Sequence, residues 1–190
     1  MNKVLAFIMA LLPLMAAAQF FTITPNGWKN AQDTSLDYVV IPMEGTQAEL
    51  FKKAKTAVTA TYKSAKDVMS FNEPDIINIS GYTDCISEKH MGMLFVFGMR
   101  YTMQILFKDG KVRFNAPDAY NAEYVNGAKA SYYSLTPGST GMFGNTLYMF
   151  DKKGNLKKKD QKKQVEDYFN GLVAQIVEMM KNGGTVSDDW

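Results

Sequence analysis

The chain has 190 residues, of which 46% are hydrophobic, 21% charged and 13% aromatic, a composition that excludes disordered, collagen-like and disulfide-stapled architectures. Its 21 basic and 19 acidic residues nearly cancel, so charge gives no support to a nucleic-acid partner. The length suits one domain with a self-sufficient core, not two.

The first segment reads Met1-Asn2-Lys3, an apolar run from Val4 to Met15, then Ala16-Ala17-Ala18 before Gln19. A short positive start, an apolar stretch too short to span a bilayer and small residues before the scission point describe a secretory signal peptide over 1–18. Cleavage between Ala18 and Gln19 is predicted to release an exported protein, periplasmic or secreted, with no transmembrane segment in the mature chain. The residue directly after the scission point is Gln19 and not cysteine, so lipoprotein attachment has no acceptor. The single Cys85 forbids an intrachain disulfide and leaves two expectations, a small buried hydrophobe or an intermolecular bridge.

Residues 19–35 form an N-terminal extension with turn formers at Pro25-Asn26-Gly27. A single α+β domain is expected over 36–182. Its first strand is Leu36 to Ile41, β-branched and aromatic, ended by Pro42. Thr46-Gln47-Ala48-Glu49 has the form of a capping box, and Leu50, Phe51, Ala54, Val58, Thr61, Tyr62 and Ala65 recur at helical spacing with lysines largely opposite. The spacing predicts an amphipathic helix of about 20 residues. Asn72-Glu73-Pro74-Asp75 breaks it, a strand follows over Ile76 to Tyr82, and Ser87-Glu88 is expected to reverse the chain.

From Met91 to Phe107 every odd position is apolar, which predicts a strand with a core face. On its other face Leu94 and Val96 give way to Arg100, Thr102, Gln104 and Lys108, a change from dry to wet, with a bulge or bend expected at Gly98. Lys108-Asp109-Gly110-Lys111 signals a hairpin into Val112, Phe114 and Ala116. Residues 117–144 lose both periodicities and read as a long loop insertion. A last strand is expected over Thr146 to Phe150. A second helix starts near Asp160, carries Val165, Tyr168, Phe169, Leu172, Val173, Ile176, Val177 and Met180 on one stripe, and stops at Asn182-Gly183-Gly184. The tail, 183–190, is expected to be loose. A sheet with two helices packed on one face fits this order.

The exported start, the helix after Val39-Val40-Ile41 and the strand pair running from Tyr101 to Phe114 resemble a family of exported proteins of Bacteroides-type bacteria, a domain of unknown function with a TATA-binding-protein-like (TBP-like) fold. The resemblance covers about residues 36–119, and the final helix more loosely. It implies a curved antiparallel sheet backed by two helices. It carries no catalytic residues with it, and the fold name does not import DNA binding.

Asp84-Cys85-Ile86-Ser87-Glu88-Lys89-His90 holds the only cysteine and the only histidine. A reversal at Ser87-Glu88 sets Cys85 across from His90, a thiol–imidazole pair for which no orienting group or oxyanion site can be named. His90-Met91-Gly92-Met93 offers soft donors, but Phe95 and Phe97 continue the same stripe, so core is the expectation, with no metal and no cofactor. The glycine spacing of 138–144 lacks the Lys-Ser/Thr ending of a phosphate loop. Lys157, Lys158, Lys159 and Lys162 cluster at a helix start, where positive charge opposes the macrodipole and a bound anion offsets it. Tyr120, Tyr124, Tyr132 and Tyr133, interleaved with Asn, Ser and Gly, have the composition of a recognition loop, and Leu94 and Val96 on the uncovered face call for a partner or a cover.

The leading expectation is a non-enzymatic exported binding module for a protein, glycan or envelope component, using the tyrosine-rich segment and the uncovered sheet face. A homodimeric assembly protein is the alternative. A cysteine-dependent enzyme using Cys85 and His90 is the third.

Overall fold

The computed structural model describes residues 19–183 apart from Lys63, Met91, Gly127, Ala128 and Phe143. The expected signal segment and residues 184–190 lie outside the described residues. In chain order the elements are β1 (Phe21–Thr24), β2 (Gly27–Asn30), β3 (Tyr38–Pro42), α1 (Gln47–Thr61), α2 (Ala65–Val68), β4 (Met69–Asn72), β5 (Ile76–His90), β6 (Met93–Lys108), β7 (Lys111–Asn115), β8 (Asn121–Asn126), β9 (Lys129–Pro137), β10 (Thr146–Phe150) and α3 (Lys159–Lys181).

The 16-residue β6 is the spine of an eight-stranded sheet. One of its edges pairs with β5 from Ile76↔Leu106 to His90↔Met93. The other edge is shared: β7 takes the Ile105–Lys108 end, the Asp118 backbone bridges Thr102, and β8 takes Gly98 and Met99. The sheet therefore forks, with β7 leading to β3 and β8 leading to β9 and β10. All pairings are antiparallel except β9 with β10, the one departure from the expected antiparallel sheet. The odd residues Phe97, Met99, Tyr101, Met103, Ile105 and Phe107 are all buried, and α1 and α3 pack on that face and on each other.

Local chemistry explains the ends of these elements. Thr46 caps α1 by accepting from the Glu49 amide while the Glu49 carboxylate accepts from the Thr46 amide, which satisfies two otherwise idle donors. The helix stops at Thr61, shorter than the sequence period predicts, because Tyr62 turns extended (φ −113°, ψ 133°). The residues that continued the period become α2 and the edge strand β4, a strand that the helical pattern conceals. At the β6–β7 hairpin Gly110 has φ +75°, as a two-residue turn of this kind requires.

Three expectations are corrected. The chain does not reverse at Ser87-Glu88; β5 continues to His90 and turns at Gly92, with φ +79°. Those polar residues serve α3 instead. β4 covers β5 only as far as Ile79, and α3 docks on the bare edge beyond, where the Ser87 amide donates to Gln164 (2.8 Å) and Gln161 donates to the Ser87 carbonyl (3.3 Å). Gly98 does not itself carry a bulge. The extra residue sits on β5 between Thr83 and Ile86, opposite it. Finally, 117–144 is not a loop insertion, since β8 and β9 form an antiparallel hairpin that widens the sheet.

The N-terminal extension also has a definite structure. β1 and β2 form a hairpin turned by Gly27 (φ +91°), and α3 presents side chains that act as a strand edge for it. Asn170 Oδ1 accepts from the amides of Phe20 (2.9 Å) and Phe21 (2.8 Å), and Asn170 Nδ2 donates to the Phe21 carbonyl (3.0 Å). One turn earlier Glu166 Oε1 accepts from the Ile23 amide and the Thr22 hydroxyl, both at 2.7 Å. The pairing seats Phe21, Ile23 and Trp28 in the core.

Candidate functional site

Side chains alternate across a strand, so the even residues of β6 share the sheet face that no helix covers. Two adjoining clefts on this open face, of about 350 and 660 Å³, share Thr102, Asp118 and Tyr120. They lie where β6 passes from β7 to β8. Along the floor a chain of hydrogen bonds crosses three strands: Arg113 donates to Asn115 (2.7 Å), Asn115 to Gln104 (3.0 Å) and Gln104 to Asn78 (2.9 Å). These amides are thereby fixed in orientation before any ligand arrives.

The centre of the open face is Tyr82. A Cβ on Gly98 would lie 1.6 Å from the Tyr82 hydroxyl, so the phenol end of the side chain lies over a position that only glycine permits. It is 55% exposed, a platform rather than a core group. Its phenol is held above the ordinary value by slight desolvation first, then by the charges of Asp84 and Glu123, with Arg100 opposing. The Arg100, Asp118 and Glu123 side chains make no ion pair and no hydrogen bond among the described residues. Tyr120 closes one wall, set there by Trp28, whose indole donates to the neighbouring Ala119 carbonyl at 2.9 Å.

The structure divides the residues expected to bind. Tyr120 and Tyr132 are exposed, Tyr120 in the groove and Tyr132 across from Glu123 on the open face. Leu94 (59% exposed), Val96 (38%) and Val125 (61%) make an apolar end to that face. Tyr124 points the other way, edge-on to Phe95 at 5.3 Å. Tyr133 is a correction: it is 0% exposed and packs edge-on to Phe97 at 5.6 Å, because it faces the same way as its cross-strand partner Ala122, which is also buried. Sequence reasoning missed Tyr82 and Arg100, a cross-strand pair. The signal available was Arg100 on the wet face of a strand next to a glycine.

In the lysine cluster expected to hold an anion, three of the four members serve carboxylates. Lys157 pairs with Asp151 at 3.1 Å, Lys158 with Glu88, and Lys162 with Glu166. Lys159 is exposed and makes no ion pair among the described residues.

The thiol–imidazole pair is corrected as well. His90 lies opposite Met93 and Cys85 sits at the β5 bulge, five residues back on the same strand. Burial pushes the Cys85 thiol up to about 11, the Asp84 charge adding to it and hydrogen bonds from Thr83 and its own backbone opposing. At pH 8 its alkylation by iodoacetamide is expected to run about a hundredfold slower than that of free cysteine. A mass-spectrometric time course at the free-cysteine rate would contradict this environment.

Residues 38–120 match the sequence family described as a domain of unknown function (DUF4468) with TBP-like fold, close to the segment on which the resemblance rests. Among solved structures the chain is similar to a TBP-like protein from Parabacteroides distasonis ATCC 8503, at 14% identity and a TM-score of 0.53, over 76% of this chain and 91% of that one. It is also similar to a DUF4468 family protein from Bacteroides ovatus ATCC 8483, at 10% identity and a TM-score of 0.49, over 75% and 84% of the two chains. No curated protein matches the sequence.

Proposed function

For a chain whose residues 38–120 match the DUF4468 family of unknown function with TBP-like fold, we propose a non-enzymatic role as an exported binding module whose open sheet face takes a glycan. The observation that carries this reading is Tyr82, an exposed ring whose phenol end rests over Gly98, beside uncommitted charged groups. A sugar ring presents an apolar C–H face and a rim of hydroxyls. The tyrosine supplies a rigid apolar platform at low entropy cost, and Arg100, Asp118, Glu123 and the ordered amides supply donors and acceptors for the rim. An open groove with a few convergent polar groups is the usual form of such a site. Export rests on the signal-like start of the sequence.

Binding to an array of bacterial and host glycans tests this. Tyr82→Ala is expected to weaken the best wild-type signal at least tenfold, about 1.4 kcal/mol, with the melting temperature unchanged because the ring is mostly exposed. Equal binding by wild type and variant, or no binding by either, would remove the glycan reading. The apolar end formed by Leu94, Val96 and Val125 favours a second reading, a protein partner or a second copy of the chain. That reading gains if sedimentation shows a dimer which Val96→Lys dissociates.

A further inference from the structure

The groove of the open face does not end at Asn115. A third cleft, of about 620 Å³, joins it at Arg113 and runs to the β6–β7 hairpin past Val40 and Leu106. Leu106 and Lys108 are even residues of β6, and their cross-strand partners Arg113 and Lys111 share that face. Lys108, Lys111 and Arg113 line the cleft, and none of them makes an ion pair among the described residues. Lys108 and Lys111 stand directly opposite each other, and like charges so placed repel. Arg113 is held ready: its guanidinium carbon lies 3.7 Å from the centre of the Tyr38 ring, and its Nε donates to Asn115 at 2.7 Å. Its two terminal amino groups make no hydrogen bond among the described residues, and they form the fork with which arginine grips an oxyanion in two parallel bonds. The carboxylate lining this cleft, Asp75, accepts from Gln47 Nε2 at 2.9 Å, so the cleft keeps a net positive charge. Farther along the groove the sign reverses, with Asp37 and Asp118 in the middle cleft and Arg100 outnumbered by Asp84 and Glu123 around Tyr82.

We infer that the ligand of the open face is an oligosaccharide with an oxyanion at one end, a sugar carboxylate or a sulfate ester, seated on Arg113, Lys108 and Lys111. This rests on the glycan reading and adds the ligand's length, charge and direction. Arg100 to Lys108 spans roughly 27 Å of strand, so no single sugar bridges the Tyr82 platform and the basic end. The carboxylates of the middle and of the Tyr82 end disfavour a second anion there, which selects a neutral chain with one acidic terminus over a polyanion. At the basic end the oxyanion offsets the repulsion between the lysines. The stacked guanidinium is already oriented, so little freedom is lost when it binds.

The test uses pairs of array glycans that are identical except for a terminal sugar acid or a terminal sulfate. The acidic member of a pair is expected to bind about tenfold more tightly than its neutral partner. Arg113→Gln is expected to erase that preference and leave the neutral partner unaffected, whereas Tyr82→Ala weakens both members alike. Lys108→Gln with Lys111→Gln, at two exposed positions, is expected to lower the preference about threefold, and it carries the test if Arg113→Gln fails to fold. Preference for the carboxylated members over the sulfated ones, or the reverse, tells which oxyanion is held, and either result upholds the assignment. Equal binding of acidic and neutral members by the wild type would overturn it and leave the glycan reading standing. A preference that survives both variants would overturn it as well, since the anion then lies elsewhere. No binding to any member would remove both readings.

Discussion

Replacing Asn170 by leucine is expected to lower the unfolding free energy by about 3 kcal/mol, although the two side chains have similar volumes. Asn170 is 6% exposed and satisfies two amides and one carbonyl of the incoming chain at Phe20 and Phe21. Leucine leaves all three without a partner, and each buried idle group costs on the order of 1–3 kcal/mol. The figure stays near the low end of the sum because the start of β1 is able to lift and recover water. That lifting is itself measurable: amide exchange at Phe20 to Ile23 is expected to accelerate far more than exchange in β6. Urea unfolding that shows a change under about 0.5 kcal/mol with unaltered exchange at β1 would mean that the asparagine clasp carries little of the stability.

The same clasp illustrates what a sequence conceals. Asn170 and Glu166 fall on the apolar stripe of α3, where period alone reads them as interruptions. Their role appears only once a strand 143 to 150 residues away in the chain lies against them. β6 was legible because its signal is local: eight alternating apolar residues and a Lys-Asp-Gly-Lys turn specify strand, face and hairpin together. The capping box of α1 and the stripe of α3 are local in the same sense. β8 and β9 were not legible, because the inward positions mix small residues with large ones, Ala122 and Ser131 beside Tyr124, Tyr133 and Leu135, while asparagine and serine dilute the pattern. Ser87 and Glu88 read as a turn for the reason that makes polar residues ambiguous: the sequence shows that they seek hydrogen bonds but not with whom.

The candidate site divides along the same line. Exposure of Leu94 and Val96 followed from the parity of β6, which one register determines throughout the strand. The tyrosines of 120–133 could not be sorted until strand pairing assigned parity to β8 and β9, and that assignment sends Tyr132 outward and Tyr133 into the core. Tyr82 was hidden because its importance comes from a diagonal neighbour, Gly98, on another strand. A glycine in a strand signals close approach by something; the sequence does not say by what.

Truncating Phe169 to alanine is expected to cost about 4 kcal/mol, the largest effect of any substitution considered. The ring is fully buried and meets Trp28 at 5.2 Å, Tyr101 at 5.1 Å and Tyr168 at 5.1 Å, each edge to face. Alanine removes those contacts and leaves a cavity that three large rings cannot fill without leaving their positions. Phe169→Leu, which retains most of the volume, is expected to lose about half as much. The damage is expected to reach the open face, since Trp28 is the group that holds the Ala119 carbonyl next to Tyr120. With Trp190 replaced by phenylalanine, Trp28 becomes the single tryptophan of the chain, and its emission is expected to shift to the red in Phe169→Ala. Glycan binding should then weaken even under conditions where the variant remains folded. A loss below about 1 kcal/mol with unshifted emission would show that the core repacks around the gap, and that the groove is held by the sheet without the N-terminal hairpin.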